Sequence, residues 1–429
     1  MKKLLFFSFV FFSQHAMAQT AANNELKGLI NKSFEYFPRV KEVENTVLTA
    51  EAKMDLVKLN SQPLVIGSAG YSYVAPVAEV TFPVNGQDKL LKFQPNHNYN
   101  IAANGSYTLF DFGKQKATLE KAKTDVQYAK DNALFLKTQL ANQVAIIYYN
   151  IIYFKKAMVI EDSVIAYLNE QQRITQSKLQ NGEAIKIDLL NIQASRDNEI
   201  TRKEDLENNL QKQLNLLEYT TGITATSGND FDFNISLASI DEALNTATTN
   251  NLDFKIAGDK IQQAQNDINI TKVSDKPNVN LNAGLGFRNG YVPQIYDFKF
   301  NYVGGISFAV PLYGGGKSKQ QIKLQETIVK QNQLSQETLV STYKKDIAQA
   351  LTDIKTNLER IKNSQTQIDE SYAAATIAAS RFKNGVGTNL EITNASTNVQ
   401  RAEFTKLQYQ YQLCLAKLEL ARLTGNVYW

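Results

Sequence analysis

The chain is poor in the side chains that build metal centres and nucleophilic sites. Of its 429 residues one is Cys and two are His. Cys414 has no partner for an internal disulfide, and within a helical pattern it reads as a small buried apolar residue. His15 falls in an N-terminal leader, which leaves only His97. A His/Cys metal site is thereby excluded. A Ser-His-Asp arrangement would have to use His97, which sits in a Pro/Asn-rich segment without a nucleophile motif. Gly314-Gly315-Gly316-Lys317 lacks the spacing of a phosphate loop and reads as a bend between a strand and a helix. The expectation is no catalytic site, no metal and no cofactor.

Charge of one sign is scarce as well. Lys and Arg total 46 against 42 acids, a formal +4, and the leader alone supplies Lys2 and Lys3. No basic cluster stands out, so a nucleic-acid partner is not expected. Long apolar runs are missing except at the start. Lys2-Lys3, then residues 4–12 (LLFFSFVFF), then Ala16-Met17-Ala18 make a signal peptide over residues 1–18, with Gln19 first in the mature chain. The apolar run is too short to span a bilayer, and no Cys follows it to carry a lipid. With a mean hydropathy of −0.32 the rest is no helical membrane protein.

What is present is present twice. Leu109-Phe110-Asp111-Phe112-Gly113-Lys114 matches Leu312-Tyr313-Gly314-Gly315-Gly316-Lys317 at an offset of 203 residues. Asn181-Gly182 matches Asn384-Gly385, and Thr221-Gly222 matches Thr424-Gly425, at the same offset. Upstream the offset is 214, pairing Pro63 with Pro277 and Gly70 with Gly284, so the first copy carries 11 extra residues. The chain divides into a first repeat (19–222), a joining segment (223–242) and a second repeat (243–429).

Gly and Pro are absent from Lys114 to Asn181 and from Lys317 to Asn384, 68 residues each. A helix of that length would measure about 100 Å. Apolar residues at Leu119, Ala122, Val126, Ala129, Ala133, Leu136, Leu140, Val144, Ile147, Ile151, Phe154 and Met158 step by three and four with one stutter, a coiled-coil seam. Ile322, Val329, Leu339, Tyr343, Ile347, Ala350, Ile354 and Ile361 continue it in the second copy. Shorter helices are expected at roughly 28–60, 183–221, 241–275 and 386–424. Tyr148-Tyr149 and Tyr153-Phe154 are expected to pack between helices.

Four segments instead alternate with period two. Val279, Leu281, Leu285 and Phe287 are separated by Asn, Ala and Gly, and Phe300, Tyr302, Ile306 and Phe308 alternate likewise. Copy one repeats this with Val65, Ala69, Tyr71 and Tyr73, and with Tyr99, Ile101, Ala103, Tyr107 and Leu109. Such strands, one face apolar with aromatics and the other small and polar, suit a transmembrane β-barrel. They also suit a soluble sandwich. Four strands cannot close a useful barrel alone, whereas three chains would supply twelve.

A leader, a tandem repeat, two hairpins, long Pro-free helices after LFDFG and LYGGG, and N-G/V-G-T turns together resemble the TolC-like outer-membrane efflux proteins, the outer-membrane factors of tripartite efflux and type I secretion systems. The resemblance spans the mature chain. It implies a mainly α fold with transmembrane β: a trimeric 12-stranded β-barrel, four strands per chain, continuous with a long α-helical periplasmic tunnel. It implies a homotrimer in the outer membrane of a Gram-negative bacterium, reaching into the periplasm as a passive exit duct. Its partners would be outer-membrane lipid, a periplasmic adaptor (membrane fusion) protein and an inner-membrane pump of the RND, ABC or MFS type. Adaptor docking would fall on Asn181, Gly182, Asn384, Gly385, Val386, Gly387 and Thr388. Lipid would meet Val279, Leu281, Leu285, Phe287, Phe300, Tyr302, Phe308, Tyr71, Tyr73 and Tyr107.

Glu391 falls on a commonly acidic position of that family, and Asp188 is its repeat equivalent. With Asn389 they are candidates for a pore constriction, where rings of carboxylates would favour cations. The competing reading is that each carboxylate complements a helix N-terminus after a Gly break. Asn389 stands where a basic residue often follows V-G-T, which puts an Arg-Asp latch in question. The alternative for the whole chain is a secreted or periplasmic coiled-coil scaffold with soluble β-hairpins.

Overall fold

A computed structural model of the chain describes residues 24–429; the expected signal peptide lies outside them. In chain order the elements are α1 (Asn24–Tyr36), α2 (Pro38–Leu59), β1 (Leu64–Tyr73), β2 (Glu79–Val84), β3 (Gln87–Lys92), β4 (His97–Phe110), α3 (Lys114–Gln180) and α4 (Lys186–Thr221). The second copy follows with α5 (Ile240–Asn250), α6 (Leu252–Ser274), β5 (Asn278–Arg288), β6 (Lys299–Ala309), α7 (Lys317–Lys383) and α8 (Asn389–Thr424).

The long helices α3 and α7 run 67 residues each, one short of the interval without Gly or Pro. Asp111 caps the entry to α3, its carboxylate accepting from the Gly113 and Gln115 amides at 2.9 and 2.6 Å. The three-four seam of α3 is turned inward from Leu119 to Met158. Ala122, Val126, Ala133, Leu140, Val144, Ile147 and Ile151 are buried and no other seam residue is exposed.

The single helices expected at 28–60 and 241–275 are each two helices. The first breaks at Phe37, because Pro38 cannot continue a helix but can begin one. The second breaks at Asn251, whose Oδ1 accepts from the Asp253 amide at 2.9 Å while its Nδ2 donates to the carbonyls of Arg422 and Leu423. Pro38 and Leu252 are 214 residues apart, so both copies bend at the same place. The expectation of only four strands also needs correcting. The 11 extra residues of copy one contribute to a separate hairpin, β2–β3, closed at Asn85-Gly86, where both residues have positive φ.

The chain forms two compact units, each drawing on both copies. One holds the described part of Met1–Val43 with Asn132–Lys255 and Glu337–Trp429. Its core joins Leu26 and Ile30 of α1, Tyr148, Tyr149, Ile151 and Ile152 of α3, Leu217 of α4, Ile347 and Ile354 of α7, and Leu418 and Ala421 of α8. Tyr148 and Tyr149 are fully buried between helices, as their spacing predicts. Phe233 of the joining segment enters the same core. That segment is held by Glu25, which accepts from the Ser227 amide (2.6 Å) and from the Thr226 and Ser227 hydroxyls. It ends at Ser239, three residues before the expected boundary, in a capping box with Glu242.

The other unit holds Glu44–Asp131 and Ile256–Gln336. It contains the β2–β3 hairpin and a four-stranded antiparallel sheet of order β1-β4-β5-β6. The two expected hairpins are therefore neighbours, joined by β4 to β5, and β1 and β6 are left as open edges.

Candidate functional site

Two places gather the residues singled out by the sequence: the four-stranded sheet in one unit and the helix-to-helix turns in the other. In the sheet, register decides which side chains share a face. Tyr71 lies opposite Tyr99, Ile101 opposite Phe287, Ala103 opposite Leu285 and Tyr107 opposite Leu281. Val279, Leu281, Leu285 and Phe287 in turn face Phe308, Ile306, Tyr302 and Phe300. All ten residues expected to meet lipid thus fall on one face, which Ile101 and Ile306 share. Tyr302 is 82% exposed and Leu285 57%, so among the described residues this face has no core to pack against. One correction concerns the end of β4. A bulge between Thr108 and Phe110 places Phe110, not Leu109, opposite Val279.

Aromatic residues stand at both ends of the sheet, with Tyr107, Phe110 and Phe308 at one end and a larger cluster at the other. Tyr71 contacts Tyr99 (ring centroids 5.3 Å) and Phe287 contacts Phe300 (5.4 Å). Rings with one polar tip or a polarisable edge favour a water–hydrocarbon boundary. The opposite face is tied by side-chain hydrogen bonds across the strands. Asn104 Nδ2 donates to Ser68 Oγ (3.3 Å), Thr108 Oγ1 to Asn280 Oδ1 (3.0 Å) and Asn282 Nδ2 to Ser307 Oγ (3.1 Å). A sheet greasy on one side and hydrogen-bonding on the other can separate lipid from water. Among the described residues no helix is long and apolar enough to cross a membrane.

The turns are built alike. Helix α3 ends at Asn181-Gly182 and α7 at Asn384-Gly385, with Gly182 at φ 77 and Gly385 at φ 75. That left-handed conformation lets the chain fold back, the Glu183 amide reaching Lys178 O (2.8 Å) and the Val386 amide reaching Arg381 O (3.0 Å). The second turn is tighter. A Cβ on Gly387 would meet the Phe382 nitrogen at 2.8 Å. Thr388 then caps α8, its hydroxyl accepting from the Glu391 amide at 3.3 Å.

The two turns are tied to each other within one chain. Lys178 Nζ donates to Phe382 O (2.6 Å) and stands 4.6 Å over the Phe382 ring. Asn389 Nδ2 donates to Asp188 O (3.0 Å). Asn389 is buried, so within a single chain it serves as a tie between turns rather than as an open lining group. Glu391 is half-buried and pairs with Arg381 (3.2 Å), which also donates to Val386 O. Asp188 reaches back to the Ile185 amide at 3.4 Å, close to the helix-complementing role weighed above. Around these groups Ile185, Ile187, Leu190, Val386 and Leu390 are exposed.

Lys178, Arg381, Ile187 and Leu390 escaped the sequence reading, although the repeat marks them. Lys178 and Arg381 are 203 apart, as are Ile187 and Leu390. Basic residues in a last helical turn and apolar residues just after a break are the signal that an offset search would catch.

A family profile described as "Outer membrane efflux protein" matches residues 29–222 and 243–426. Among curated protein sequences none matches. Solved structures give several full-length likenesses. To CusC the chain aligns with a TM-score of 0.80 and 16% identity, covering 95% of this chain and 94% of that one. To the outer membrane protein VceC of Vibrio cholerae it aligns with a TM-score of 0.78 and 16% identity, over 94% and 96%. To the open state of the Neisseria gonorrhoeae outer membrane channel MtrE the values are 0.77 and 17%, over 94% and 89%. At such identities the likeness carries the fold: long helices with strands of the barrel-forming kind.

Proposed function

This chain belongs to the outer membrane efflux protein family, and we propose that three copies assemble into one channel-tunnel that carries cargo passively across the outer membrane. The observation that carries this reading is the open-edged, two-faced sheet. An apolar face exposed on both central strands needs lipid, and hydrocarbon does not tolerate the unpaired edges of β1 and β6. Pairing β6 of one copy with β1 of the next removes every edge after three copies. Twelve strands then close, with the Asn, Ser and Thr face turned to the lumen. The family membership leaves no support for a soluble scaffold.

The turns are read as the end that meets other proteins. Ile187 and Leu390, repeat equivalents exposed in the first turn of α4 and α8, offer each subunit two similar apolar contacts. A periplasmic adaptor with helical ends would seat on them beside Gly182 and Gly385, and an inner-membrane pump would supply the energy. Glu391 and Asp188 stand nearby, and three copies of Glu391 released from Arg381 would make a cation-favouring ring.

The test is single-channel recording of purified protein in planar bilayers. Discrete, long-lived openings that become less cation-selective in Glu391→Gln support both the duct and the ring. Openings with unchanged selectivity would remove Glu391 from the constriction, and no openings at all would remove the duct.

A further inference from the structure

A buried acid pair lies between helices in the unit that carries the turns. Glu161 of α3 is fully buried. Glu199 of α4 faces it, the two carboxyl groups sharing one hydrogen-bond donor. Gln400 of α8, itself buried, completes the cluster. Its Nε2 lies 2.7 Å from Glu199 Oε2 and 3.4 and 3.3 Å from the two Glu161 oxygens. Glu199 also has a cation, Arg202 Nη1 at 3.1 Å.

The roles differ because the surroundings do. Two facing carboxylates in a dry site cannot both be ionised at low cost. Arg202 and Gln400 stabilise the charge on Glu199. Burial first, then the Glu199 carboxylate, push Glu161 up to about 8. The charged groups acting on Glu161 are Glu199 and Arg202, both on α4, while α8 presents only the neutral Gln400. Asp162, next on α3, is turned to Lys203 of α4 at 2.7 Å. With Glu161 protonated, its O–H donates to Glu199 and its second oxygen accepts from Gln400. Removing the proton replaces a hydrogen bond by like-charge repulsion at the point where α8 meets α3 and α4.

We propose that Glu161, Glu199 and Gln400 form a one-proton joint fastening the second helical hairpin (α7–α8) to the first (α3–α4), and that loss of this proton loosens α8. The device acts by pH alone and needs no partner protein. Its sign is fixed by linkage. Glu161 binds its proton more tightly folded than unfolded, so its contribution is complete in acid and falls as pH rises through its titration. Glu199 is held below the ordinary carboxylate range and weakens only in acid.

Infrared difference spectroscopy of the detergent-solubilised full-length protein, across the Glu161 titration, is the test. The expected result is a protonated-carboxyl band that disappears on the alkaline side and is missing in Glu161→Gln. In parallel, amide-exchange protection around Gln400 should drop about tenfold between one pH unit below and one above that titration. In Glu161→Gln, whose amide keeps a hydrogen bond to Glu199 without a titrating proton, protection should stay flat. A wild type without the band, or with equal protection on both sides, overturns the proposal. So does a Glu161→Gln protein that keeps the same pH dependence.

Discussion

Replacing Leu285 with Lys asks whether the sheet's apolar face meets lipid. Leu285 lies mid-way along β5, a central strand, opposite Ala103 on one side and Tyr302 on the other. A Lys near the middle of a lipid-facing band costs about 2–4 kcal/mol. Three copies in one barrel would multiply this to about 6–12 kcal/mol, comparable with the whole stability of a domain. The control is Asn282→Lys, three residues away on the other face. It removes the hydrogen bond to Ser307 (3.1 Å). That loss costs about 1 kcal/mol, and the new charge would sit in water. The assay is membrane fractionation followed by urea unfolding of the extracted protein in lipid vesicles. Leu285→Lys should be lost from outer membranes while Asn282→Lys assembles. If Leu285→Lys assembles normally and Asn282→Lys fails, the two faces have been assigned the wrong way round.

Three further variants probe other links. Gly387→Val should disrupt the second turn, where even a Cβ would meet the Phe382 nitrogen at 2.8 Å; local amide exchange near Arg381 should accelerate while the sheet stays protected. The double change Lys178→Ala with Asn389→Ala removes both hydrogen bonds between the turns, at 2.6 and 3.0 Å, and should raise the open probability in bilayer recordings. Unaltered gating would mean that these ties do not restrain the turns. Ser239→Ala removes the cap of α5 and should lower stability by about 1 kcal/mol, read as a shift in the unfolding midpoint without loss of channel assembly.

The long helices were legible because so little interrupts them. Between Lys114 and Asn181 the only constraint is the three-four seam, and a helix of 67 residues follows. The strands were legible from their period of two, but that pattern alone also suits a soluble sandwich, and it was the order of hairpins and long helices that favoured a barrel. The misses have local causes. Phe37 and Asn251 interrupt helices inside segments whose apolar pattern runs straight through, one because of Pro38 and the other through hydrogen bonds that its side-chain amide donates to distant α8 carbonyls. The β2–β3 hairpin does carry an Asn-Gly turn, but Pro83 within the first run weakens the strand signal. At the turns the sequence marked the backbone well, because only Gly accepts the required φ. It did not mark the ties. The Arg381–Glu391 pair spans ten residues across a reversal, and the Asn389–Asp188 bond spans the two repeats. Contacts of that kind depend on which faces the folded helices present, which no local spacing encodes.

The native mass of the protein extracted from outer membranes in mild detergent tests the central claim most directly. Three mature chains in one detergent-bound particle are what a closed twelve-stranded barrel requires. A monomer or dimer, or a protein released into the aqueous fraction without detergent, would contradict it.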